Sequence, residues 1–192
     1  MARPRKFDED AVLDRAMHLF WRRGYDGTST AELLDAMGMT NSSLYKAFGS
    51  KADLFRRVSE RYRDGPLAFR RVALAGTTPR SVVEGVLLGT VDLLTGPDTP
   101  PGCLEVTSGR PTTDPGATVR ELLITSRAVL RELLWDRLQA VAGTHELPGR
   151  TTPEDMAALV ATVAHGLAVQ AADGTDRASL KRIVATFMAD WE

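Results

Sequence analysis

The residues of this chain best suited to chemistry are Thr40, Asn41, Ser42, Ser43, Tyr45 and Lys46, packed into one short stretch, with Lys51 just beyond. Their chemistry is recognition rather than bond-making. An Asn amide can pair with a base edge, Ser and Thr hydroxyls can bond bases or phosphates, a Tyr ring can pack on a sugar, and Lys neutralises phosphate. Together they point to double-stranded DNA. Catalytic patterns are missing: there is no Gly-rich phosphate loop at a strand-helix junction, no GxSxG elbow, and no His-Cys or His-Asp pair in motif context. No catalytic residue, enzymatic activity or cofactor is expected. His18, His145 and His165 form no spaced cluster with carboxylates or with the single cysteine, Cys103, so no metal is expected either.

The elements that must position those side chains can be read from local signals. Ser29 and Glu32 have the spacing of a capping box, in which each side chain satisfies the other residue's backbone amide. A helix starting there can run to about Met37, because Gly38 is free to take the left-handed conformation that ends it. Thr40 then caps a second helix whose Leu44 and Phe48 lie four apart on one face, leaving Asn41, Ser42, Tyr45 and Lys46 facing outward. Gly49 closes this helix. Ser50 with Asp53 opens a third, whose Leu54, Phe55 and Val58 point inward and whose first turn carries Lys51. Two helices joined by a tight Gly-containing turn form a unit whose second helix fits a major groove. The spacing also fits a helical hairpin with a merely soluble polar face, but the aromatic and small-polar mixture favours DNA.

Thr28-Ser29, Gly38, Ser43-Leu44-Tyr45, Phe48, Ser50-Lys51 and Leu54-Phe55 resemble the signature of TetR-family transcriptional regulators, and Ala16, Leu19-Phe20 and Gly24-Tyr25 resemble the family's first helix and the entry to its second. The resemblance covers about the first third of the chain. It implies an all-α protein with a three-helix, helix-turn-helix DNA-binding domain at residues 1–63 and a larger helical effector-binding and dimerisation domain at 64–192. Thr28, Thr30, Thr40, Asn41, Ser42, Ser43, Tyr45, Lys46 and Lys51 are the expected DNA contacts. A repressor is implied, binding a near-palindromic operator as a homodimer paired through its last two helices and released by a small-molecule effector. Leu87, Val91, Cys103, Trp135, Met156 and His165 are the candidates to line the effector pocket. The competing class is a helical dimeric adaptor that never touches DNA.

The rest of the chain supplies supporting readings. The overall charge of −1 hides an asymmetry: residues 1–63 carry 12 Lys and Arg against 9 Asp and Glu, a balance of +3, leaving −4 for the remainder. Arg3, Arg5 and Lys6 form a basic arm with reach for a minor groove or a phosphate strand. Phe7 and Val12 flank Asp8 with the spacing of a hydrophobic staple, so the first helix begins near Asp8. No run approaches about 18 apolar residues, so no membrane span is expected and the location is cytoplasmic. Cys103, beside Leu104 and Val106, reads as a small buried hydrophobe rather than an exposed redox-sensing thiol.

Helical patterns separated by breakers fill residues 77 to 192. Thr78-Pro79 opens a helix to about Leu94, with Val82, Val83, Val86, Leu87 and Val91 on its apolar face. Residues 98–113 read as a loop with at most two helical turns around Cys103. Asp114-Pro115 starts a long helix whose stripe runs Val119, Leu122, Leu123, Leu130, Leu133, Leu134, Leu138 and Val141, with Trp135 beside it. Two more helices begin near Thr152 and after Gly174, and they carry more apolar surface than one side of a monomer core requires.

Overall fold

The computed structural model describes residues 8–108, 117–144 and 147–191. The basic arm, Phe7 of the staple, the Asp114-Pro115 helix start and His145 lie outside the described residues. All regular structure among the described residues is helical: α1 (Glu9–Arg23), α2 (Thr30–Met37), α3 (Asn41–Phe48), α4 (Lys51–Asp64), α5 (Phe69–Leu74), α6 (Pro79–Leu94), α7 (Leu104–Thr107), α8 (Ala117–Val141), α9 (Pro153–Ala172) and α10 (Arg177–Phe187).

The capping signals set the boundaries of the first four helices. Asp8 accepts from the Ala11 amide, Ser29 and Glu32 form the reciprocal box, and Thr40 and Ser50 accept from the amides of Ser43 and Asp53. Gly38 ends α2 at φ 63°, a conformation in which a Cβ would clash with the backbone, and its amide reaches back to the carbonyls of Leu34 and Asp35. The inward residues then meet. Phe55 stands edge-on to Phe20, with centroids 5.0 Å apart at 90°, and to Tyr25, while Phe20 and Tyr25 stack on each other. Leu33, Met37, Leu44, Leu54 and Val58 close around it, each buried to within 1%. Arg61 of α4 grips α1 from outside, with a two-pronged contact to Asp14 at 2.6 and 2.8 Å and a further bond to Asp10 at 2.7 Å. Hydrogen bonding to Arg61 outweighs the desolvation of Asp14 and holds its carboxyl below the usual carboxylate range.

The C-terminal helices build a second core around α6, α8 and α9. Val82, Val83, Val86, Leu87 and Val91 of α6 are fully buried, and they meet Val160, Ala164 and Leu167 of α9 and Leu130, Leu134 and Leu138 of α8 within one continuous core. One expected stripe residue departs from this pattern. Leu133 is 42% exposed, because position 133 has rotated off the face that carries Leu130, Leu134 and Leu138. By length and mean hydropathy α9 could cross a bilayer, yet one face of it packs on α6, α7 and α8.

The two cores are joined at α7. Trp21 of α1 donates its indole N–H to the Gly102 carbonyl at 2.7 Å, and its ring stands edge-on to Tyr62 of α4 at 4.7 Å. Tyr62 donates its hydroxyl to Cys103 Sγ at 3.4 Å, and Arg63 donates to Ser126 Oγ of α8 at 3.0 Å. Gly24, at the end of α1, leaves room for the backbone of Ser108, which would stand 3.3 Å from a Cβ there. A short segment, 102–108, is therefore held by α1 and α4 on one side and by α8 and α9 on the other.

Candidate nucleic-acid interface and ligand cavity

Helix α3 turns its polar side outward as a unit. Thr40, Asn41, Ser42, Ser43, Tyr45 and Lys46 are all exposed, with Tyr45 at 47%, while Leu44 and Phe48 anchor the other face in the core. Thr40 and Ser43 are linked through their hydroxyls at 2.9 Å, which fixes both side chains at the start of the helix. Asn41, Ser42, Tyr45 and Lys46 thus present an amide, a hydroxyl, a phenol and an ammonium along one convex strip. That is the mix suited to base edges and phosphates in a groove.

Lys51 stands at the start of α4 beside this strip. Its ammonium sits 4.2 Å from the centroid of the Tyr25 ring, a cation-π contact that orients a side chain otherwise free to rotate. Burial lowers its pKa, and the charges of Asp26 and Glu32 act in the opposite direction. The sequence named Lys51 but missed its platform. The signal was available in the Gly24-Tyr25 pair, but only the fold brings positions 25 and 51 together. Thr30 is partly covered. Thr28 stands apart: it is fully buried, and its hydroxyl donates to the Gly24 carbonyl at 2.7 Å, so its side chain ties the turn between α1 and α2.

A small cavity of about 10 Å³, room for about one water, lies in the second core, lined by Leu67, Phe69, Arg70, Thr90, Leu93, Leu94, Cys103, Val106, Ala164, His165 and Ala168. Of the residues expected to line an effector pocket, the fold brings Cys103 and His165 together here. Leu87, Val91 and Met156 are buried in the surrounding core, and Trp135 lies at the surface, 40% exposed. Arg70 was not foreseen, since nothing in the sequence marked α5. Burial of His165, together with the nearby charges of Arg70 and Arg127, pushes its pKa down, which favours the neutral imidazole.

Cys103 is 6% exposed, and burial pushes its thiol pKa up, with the neighbouring Glu105 carboxylate pushing the same way. A thiol in that setting is a poor nucleophile. We expect a disulfide reagent such as DTNB to label the folded chain about 100-fold more slowly than the urea-unfolded chain. Fast stoichiometric labelling of folded protein would mean the thiol is accessible.

Three similarities bear on this geometry. Residues 12–58 match the family model described as bacterial regulatory proteins, tetR family. The HTH-type transcriptional repressor ComR of Escherichia coli (strain K12) is 29% identical over 191 residues, which cover 98% of this chain and 91% of ComR. Among solved structures, a cysteine-substituted form of the TetR family transcriptional regulator CifR, in complex with 26-bp double-strand operator DNA, is 37% identical. It aligns with 99% of this chain and 100% of its own, at a TM-score of 0.92.

Proposed function

The chain belongs to the TetR family of transcriptional regulators, and from that premise we propose that it is a repressor that binds a near-palindromic operator as a homodimer and is released by a small-molecule effector. As a member of this family it is a DNA-binding transcriptional regulator, acting where the DNA is, in the cytoplasm, and it performs no catalysis in this reading. The observation that carries the proposal is the outward strip of α3 with Lys51 seated beside it on Tyr25. Asn41 and Ser42 read base edges, Tyr45, Lys46 and Lys51 hold the backbone, and Thr30, Thr40 and Ser43 set the approach. Residues 1–63 act as the reading head and 64–192 as the effector-binding and dimerisation part, with α4 as their shared strut.

The dimer reading draws support from surface that the monomer leaves exposed. Leu159 and Val169 of α9 are each 47% exposed, and Ile183 of α10 is 42% exposed. Gly166 shares the outer face of α9, with no atom near where a Cβ would be, so a second helix could approach closely there. Pairing about a two-fold axis sets two α3 helices about 34–36 Å apart, one turn of DNA, or a multiple of it.

The test combines selection of bound genomic fragments with two kinds of substitution. Enriched fragments should share an inverted repeat. Lys51→Ala should weaken binding about tenfold on specific and random DNA alike and lower the salt slope by about one unit, as loss of one phosphate contact requires. Asn41→Ala and Ser42→Ala should instead change preference among operators. Equal losses on all DNA for all three substitutions would contradict the assignment of base reading to α3, and failure to enrich any palindrome would favour a dimeric adaptor that does not bind DNA.

A further inference from the structure

Among the described residues, Glu105 is the only charged residue that is buried, at 2% exposure, and it sits on α7 between the two cores. A carboxylate taken out of water is costly unless opposite charges and hydrogen bonds surround it. Three helices supply them. Burial raises the Glu105 pKa, and the charges of Arg70 from α5, Arg63 from α4 and Arg127 from α8 pull it down again. Arg127 also donates to the Glu105 main-chain carbonyl at 2.9 Å. Ser126 of α8, itself 1% exposed, joins the acid to α4: its Oγ accepts from Arg63 Nη1 at 3.0 Å, and its hydroxyl bonds the Glu105 carboxylate.

We propose that Glu105 is a positioning residue for DNA binding: acting through Ser126 and Arg63, it fixes the angle of α4, and so of the reading head, against the C-terminal core. This rests on reading the chain as a two-headed operator binder. The cluster is poorly built for stability alone, since Glu105 Oε1 and Arg70 Nε are both buried without a hydrogen-bond partner, and buried ion pairs seldom outdo apolar packing. A directional tie between helices is what it does supply.

Helix α4 gives the tie its reach. Lys51 is its first residue and Arg63 lies in its last turn, about 18 Å further along the axis. A rotation permitted at Arg63 is therefore carried to Lys51, which sits on Tyr25 beside the α3 strip. The reading head already touches the 102–108 segment at two points, Trp21 on the Gly102 carbonyl and Tyr62 on Cys103. Two points leave a hinge axis free; the Arg63–Ser126–Glu105 chain is a third, and it closes that freedom. When two heads must meet two half-sites at a fixed spacing, a loose angle in each lowers operator affinity while leaving each reading surface intact.

The test uses the full chain, with titration of a selected operator fragment, its salt dependence and hydrogen exchange as readouts. Glu105→Gln keeps the shape and loses the charge. It should weaken operator binding about tenfold, the size of a coupling between residues in contact, with the salt slope unchanged because no phosphate contact is lost. Arg63→Met should cost as much, and the double variant no more than either single. Ser126→Ala leaves every charge in place and is the milder change to the fold; it should weaken binding about threefold or more. Without DNA, Glu105→Gln should speed amide exchange over residues 57–64 about tenfold and leave α9 unaltered, a contrast that uniform destabilisation does not produce. Unchanged operator affinity in Glu105→Gln and Ser126→Ala, additive losses in the double variant, or a salt slope lowered by about one unit in Arg63→Met overturns the proposal. Exchange that rises equally in all helices also overturns it. A wild-type chain that selects no operator sinks the operator reading, and with it the role in DNA binding; the exchange of residues 57–64 then shows separately whether the tie exists.

Discussion

Trp21→Ala should destabilise the chain by about 3–5 kcal/mol, the range for deleting a buried large aromatic side chain. The ring is 2% exposed and stands edge-on to Tyr62 at 4.7 Å, and its N–H satisfies the Gly102 carbonyl at 2.7 Å. The substitution removes packing area, an aromatic pair and a hydrogen bond at once. It also leaves the Gly102 oxygen facing a void. Trp21→Phe separates these effects, because it keeps most of the apolar volume and the ring contact while losing the N–H, and it should cost about 1–3 kcal/mol. Urea unfolding monitored by circular dichroism measures both. If Trp21→Ala costs less than about 1 kcal/mol, α1 is not anchored on the Gly102 segment.

That anchoring was the part of the molecule the sequence left least legible. Helix starts were easy to read because a cap is written within four residues: Ser29 with Glu32, Thr40 with Ser43 and Ser50 with Asp53 all hold their bonds where the spacing placed them. The outward strip of α3 was legible for a similar reason, since one helical period relates Leu44 to Phe48 and puts the polar residues on the opposite side. Trp21, Tyr62, Gly102 and Cys103 come from three separate elements, and no local period connects them. The same holds for Tyr25 beneath Lys51. Helix α5 escaped altogether: its six residues are too short to show a period, and they lie between the Gly65-Pro66 break and the Thr78 cap. With α5 unseen, Arg70 could not be placed against His165, and the cation in the cavity went unnoticed. Long helices mislead in another way. The stripe on α8 reads as continuous, yet Leu133 faces outward, because it lies off the narrower face that carries Leu130, Leu134 and Leu138.

Surplus apolar surface of this kind is informative where it gathers on one face, and α9 carries the second large expected effect. Val169→Glu should convert a dimer into a monomer and reduce operator affinity by about 100-fold or more. The fold of each chain should survive, because Val169 is 47% exposed and its replacement adds no buried charge to the monomer. In the proposed dimer the same change would place two carboxylates, related by the two-fold axis, into a closely packed apolar contact around Gly166, where neither finds a partner. The loss on DNA comes from geometry rather than from the reading surface. A tethered second head binds at an effective concentration far above that of free protein, and without the tether this gain, about 10²–10⁴ in avidity, disappears. Val72→Glu is the matched control: Val72 is 79% exposed on α5, outside the two helices of the proposed interface, and the same charge there should alter neither mass nor affinity. Sedimentation at micromolar concentration and operator titration decide between the readings. A Val169→Glu protein that remains dimeric would move the interface off this face. A monomer with undiminished operator affinity would mean that one reading head suffices, and that the operator need not be a palindrome.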